Sequence, residues 1–115
     1  MKTIIYHNPQ WGKSRKSVEI LKNKNINFTI IEYIKNPLKK DALKELLGLL
    51  DMEASDIVRT TEKDFVENNL SNIIGDEEKI LEAIERHPRI MQRPIIICDR
   101  KAVIGRPPEN INKII

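Results

Sequence analysis

The residues best suited to chemistry stand close to the start of the chain, in the run His7-Asn8-Pro9-Gln10-Trp11-Gly12-Lys13-Ser14-Arg15. A short apolar stretch, Thr3-Ile4-Ile5-Tyr6, precedes it, and a helical pattern follows. A strand that turns tightly into a helix directs several backbone N–H groups into the turn, which makes an anion site. The same turn suits a cysteine, because a helix N-terminus stabilises a thiolate. Here Gln10 and Trp11 fill the positions between Pro9 and Gly12, and neither side chain is a nucleophile. The turn therefore offers a cradle for an anion without a group to attack it.

Three arginines, Arg59, Arg93 and Arg106, fall at predicted element boundaries. Guanidinium groups hold tetrahedral oxyanions through planar forks and keep their charge at all ordinary pH values. Together with the amides of Gly12, Lys13 and Ser14, they form a candidate site for arsenate, phosphate or sulfate. Taken singly, each arginine also reads as an ordinary surface residue. Pro94, directly after Arg93 and before an apolar run, is a candidate cis-proline, since cis bonds are nearly confined to X-Pro. His7 and Ser14 flank the turn; Ser14 also reads as a cap of the first helical turn. The one cysteine, Cys98, sits in an Ile-Ile-Ile-Cys context that predicts burial as a small hydrophobe. His7 and His87 stand far apart with no neighbouring thiols, so no metal site is expected.

The elements that must position these groups follow from periodicity. Residues 3–6 and 28–33 read as strands and residues 13–24 as an amphipathic helix between them, a unit that favours parallel pairing. After Asn36-Pro37, leucines at helical spacing mark a helix over 41–50. A short turn at 55–59 and a short helix over 62–69 come next. A helix opened by the acids after Gly75 is stopped by Pro88. Ile95-Ile96-Ile97-Cys98 and residues 101–105 flank Asp99-Arg100 as an antiparallel hairpin, and Pro107-Pro108-Glu109 opens a final helix. The order βαβ, then helices, then ββα predicts an α/β, thioredoxin-like fold. Its four-stranded mixed sheet carries an inserted helical segment, in a single domain over 1–115.

Composition bounds the function classes. The chain has 115 residues, with 20 basic against 17 acidic side chains and only 4% aromatics. That balance does not suit nucleic acid, which needs basic clusters with stacking rings. The apolar runs are too short to cross a bilayer, and no signal-peptide pattern is seen, so a cytoplasmic protein is expected; a monomer is expected as well.

Ile5-Tyr6-His7-Asn8-Pro9, Gly12-Lys13-Ser14-Arg15, Arg59, His87-Pro88, Arg93-Pro94-Ile95-Ile96 and Gly105-Arg106-Pro107 run in an order and spacing that resembles the glutaredoxin-linked arsenate reductase family. The resemblance spans nearly the whole chain. It implies that Arg59, Arg93 and Arg106 bind the oxyanion, that His7 and Ser14 tune a catalytic thiol, and that Pro94 is cis. It also implies reduction of arsenate to arsenite, with glutathione as co-substrate, glutaredoxin as partner and no bound cofactor. The family's cysteine belongs at Trp11, so oxyanion binding is expected to persist while reduction is lost or weak. A phosphate- or glutathione-binding domain without catalysis is a blander form of the same idea. The alternative is a non-catalytic interaction module of the Spx-like type, a family of RNA polymerase-binding regulators sharing this plan; those carry a Cys-x-x-Cys turn, which this chain lacks.

Overall fold

The computed structural model describes residues 2–115. These cluster into two compact units, one of residues up to 36 and from 93 onward, the other of residues 37–92.

The first unit is built on a sheet. Strands β1 (Thr3–His7), β2 (Thr29–Glu32), β3 (Ile95–Cys98) and β4 (Lys101–Ile104) lie in the order β2-β1-β3-β4. β1 runs parallel to β2 and antiparallel to β3, and β3 runs antiparallel to β4. The sheet is thus mixed, as the order of elements predicts. Helix α1 (Gly12–Asn23) provides the crossover from β1 to β2. Its buried stripe, Val18 and Leu21, packs with Ile5 and Ile96, which face each other across β1 and β3, and with Ile111. Asn25 ends the helix in a left-handed conformation, with its N–H on the Lys22 carbonyl and that of Ile26 on Leu21. Asparagine tolerates that conformation better than most residues, which is why an asparagine-rich segment stops this helix.

The predicted final helix is instead a 3₁₀ segment, Pro108–Lys113. Two prolines at its start fix the entry, and the Asn110 side chain donates to the carbonyls of Ile104 and Arg106, tying the short coil back to the hairpin. Ile111 still reaches the core.

The second unit is helical. Helices α2 (Lys40–Leu50), α3 (Lys63–Glu67) and α4 (Glu77–Arg86) alternate with 3₁₀ turns at Ala54–Ile57, Leu70–Ile73 and Pro88–Ile90. The helix predicted over 62–69 is shorter than its apolar pattern suggests: Asn69 takes a left-handed conformation and ends it. α2 buries Leu43, Leu46, Leu47 and Leu50, and α4 buries Ile80, Leu81, Ala83 and Ile84. The two helices pack together and are linked at the surface by Lys40 to Glu78 (2.7 Å) and Glu82 (3.0 Å), and by Lys44 to Glu78 (2.7 Å). Two ammonium donors hold the Glu78 carboxyl down at about 2, and the same carboxylates hold Lys40 above its ordinary range. These pairs are exposed, so solvent screens them. No described helix is long and apolar enough to cross a membrane.

Candidate oxyanion site

The sheet register decides which loops meet. β1 and β3 pair Tyr6 with Ile95, so extending that register brings the chain just after His7 beside Arg93 and Pro94. β3 and β4 pair Ile95 with Ile104, which places Gly105 and Arg106 next to the same point. Glu32 pairs with His7 from β2. The turn into α1, the entry to β3 and the exit from β4 therefore gather at one end of the sheet.

Gly105 locks this junction. Its N–H donates to the Pro94 carbonyl at 2.8 Å. A Cβ built on it would lie 2.8 Å from Pro94 Cγ and 2.9 Å from Ser17 Oγ, so only glycine fits. The Arg93–Pro94 and Arg106–Pro107 peptide bonds are both cis.

The turn itself is held from inside. Trp11 N–H donates to the Asn8 carbonyl (3.1 Å), Gln10 N–H to Asn8 Oδ1 (3.1 Å), and Arg15 Nη1 to the Pro9 carbonyl (3.0 Å). Trp11 is the N-cap of α1, with no side-chain cap bond. Ser14 is accordingly not the helix cap. It is fully buried, accepts the Asn8 N–H at 3.0 Å, and meets His7 Nδ1 at 2.5 Å. The Ser14 hydroxyl thus joins the Asn8 amide to His7 Nδ1, and the tautomer of the ring sets whether the hydroxyl or Nδ1 donates between them. Burial lowers the His7 pKa from its ordinary 6.5; Glu32 opposes that effect and Arg15 adds to it. The ring is therefore neutral at pH 7 and serves to orient the turn. Asn8 and Arg15 emerge as turn-setting residues. The sequence carries only a weak signal for them, since both sit inside the run His7 to Arg15 without a pattern that singles them out.

The predicted site residues divide as follows. Gly12, Lys13 and Ser14 form the first turn of α1, where backbone N–H groups lack intrahelical partners. Arg93 is buried, 4% exposed, and its guanidinium carbon lies 3.5 Å from the centroid of the Trp11 ring. Arg106 is exposed at the end of β4. Arg59 belongs to the helical unit, where its Nη1 meets Glu62 Oε2 at 3.0 Å and its N–H donates to the Ile90 carbonyl. Glu62, three residues on, is the neutralising partner that the sequence reading missed, although its i,i+3 spacing hints at it. Cys98 is buried, accepts a hydrogen bond from Thr3 Oγ1 at 3.6 Å, and pairs with Thr3, at the end of the sheet away from the turn. Among the described residues no cluster of His, Cys, Asp and Glu could hold a metal ion.

This geometry has close counterparts. The family model for the ArsC family matches residues 6–114. The chain is 36% identical to the uncharacterized protein YfgD of Escherichia coli K12, over 96% of this chain and 94% of that protein. It is 35% identical to the arsenate reductase of Haemophilus influenzae over the full length of both. The structure of an arsenate reductase from Vibrio cholerae superposes with a TM-score of 0.95 at 33% identity, covering 100% of this chain and 98% of that one. A match over nearly every residue, in sequence and in a thioredoxin-like fold, makes this chain a member of the ArsC family.

Proposed function

We propose that this chain binds tetrahedral oxyanions at the turn between β1 and α1 and does not reduce arsenate by the thiol route that its family resemblance implies. The observation that carries the reading is the content of the turn. A buried guanidinium, Arg93, stands beside the leading end of a 12-residue helix, and the residue at its N-cap is tryptophan. Positive charge and aligned amides suit arsenate, phosphate or sulfate, and Arg106 adds a second guanidinium at the rim.

Reduction asks for more. Taking arsenate to arsenite needs two electrons, supplied as two thiols join into a disulfide while an arsenate oxygen leaves as water. In the thiol route the first sulfur is the protein's own. Indole cannot serve, because its nitrogen lone pair belongs to the ring and its N–H only donates. Cys98 cannot serve either, being buried at the other end of the sheet. Glutathione would have to attack an anion that the protein merely positions, which leaves at most slow turnover. Glutathione and glutaredoxin are thus the co-substrate and partner of the family's chemistry, and this chain keeps only the binding half.

Calorimetry with arsenate, phosphate and sulfate, paired with an arsenite assay in the presence of glutathione and glutaredoxin, tests this reading. Saturable binding that weakens roughly tenfold to a hundredfold in Arg93→Ala, with arsenite at background, is expected. Absence of any anion binding at millimolar concentration, or turnover matching a cysteine-bearing reductase, would overturn it.

A further inference from the structure

We infer that Trp11 is a positioning residue for Arg93. The indole fixes the plane of the guanidinium so that its N–H fork meets the anion ready-made. The inference rests on the oxyanion reading above and adds to it a role for the residue that replaces the nucleophile.

Three observations support it. The guanidinium carbon lies 3.5 Å from the ring centroid, a separation at which the cation sits over the ring face. A guanidinium donates its hydrogen bonds within its own plane, so a ring over its face leaves the direction of the fork unchanged. The backbone that carries the ring is held: Trp11 is extended, φ −110° and ψ 130°, and its N–H closes the turn on Asn8 while Arg15 braces Pro9. Trp11 as a residue is 39% exposed and Arg93 only 4%. The ring therefore works as a cover that keeps water from the cation, and a charge so screened binds an anion more tightly.

Three replacements separate the cation–π contact from simple bulk. Trp11→Phe keeps an aromatic face, Trp11→Leu keeps apolar volume without one, and Trp11→Ala removes both. Inorganic phosphate is titrated by calorimetry into each, with the melting temperature recorded alongside. The spectroscopic companion is the Arg93 Nε–H resonance, which the ring current displaces in the native protein. Trp11→Phe should bind phosphate nearly as well as the native chain and keep a displaced resonance. Trp11→Leu and Trp11→Ala should bind about threefold to thirtyfold more weakly and return the resonance to its ordinary position. Equal or tighter phosphate binding by Trp11→Leu or Trp11→Ala would overturn the inference and leave the oxyanion reading standing. No phosphate binding by the native chain would overturn both.

Discussion

The buried polar side chains among the described residues, Thr3, His7, Asn8, Ser14, Ser17 and Arg93, all belong to the sheet unit; the helical unit buries hydrophobic side chains, with the Lys40, Lys44, Glu78 and Glu82 pairs exposed and the Arg59–Glu62 pair half-buried. Burying a polar group is unfavourable unless each donor and acceptor is met. A unit that needs only to pack avoids it, as the leucine and isoleucine faces of α2 and α4 do. The sheet unit instead gathers a histidine, an asparagine, a serine and an arginine around one turn. That concentration sets the turn apart from the apolar faces of α2 and α4.

The contrast can be broken at several points. The largest loss of stability is expected from the apolar core of the helical unit. Ile80→Ala should cost about 2–5 kcal/mol in urea unfolding, because it leaves a cavity at a fully buried position. A cost below about 1 kcal/mol would mean that the helices pack more loosely than their burial indicates. Gly105→Ala should cost about 1–3 kcal/mol, since the added methyl meets Pro94 and Ser17 at under 3 Å. It should also weaken anion binding, because Pro94 carries Arg93. A neutral Gly105→Ala would show that the junction yields easily.

The smallest effect is a pH dependence. The folded chain lowers the His7 pKa below 6.5, whereas the unfolded chain leaves it there. Between those two values the unfolded state holds more protons, so stability falls as pH drops below about 6.5 and is unaffected above it. His7→Asn, whose side-chain amide can donate or accept in place of Nδ1, should remove that part of the slope. An unchanged slope in the variant would assign the titration elsewhere.

Much of this fold is legible from local pattern. The isoleucine runs, the amphipathic stripe of α1 and the Asp99-Arg100 turn each specify their element through short-range chemistry. The run His7 to Arg15 likewise announces a strand-to-helix turn. What the sequence hides depends on distant partners. Ser14 looks like a helix cap, yet its hydroxyl is drawn inward by Asn8 and His7. The end segment looks helical by its isoleucines, but Asn110 ties it into a tighter coil. The Trp11–Arg93 stack joins residues from opposite ends of the chain, and only the pairing of β1 with β3 brings them together. Arg59 reads either as an oxyanion ligand or as an ordinary surface arginine, and only the folded chain sets Glu62 beside it.

The central proposal is that this turn binds an oxyanion and, with tryptophan at position 11, has no sulfur of its own to reduce it. Trp11→Cys tests it most directly, in an arsenate assay with glutathione and glutaredoxin beside the native chain. The account predicts arsenite production by the variant and background levels from the native protein. Native turnover equal to that of the variant would contradict it, as would a well-folded Trp11→Cys protein that binds arsenate and produces no arsenite.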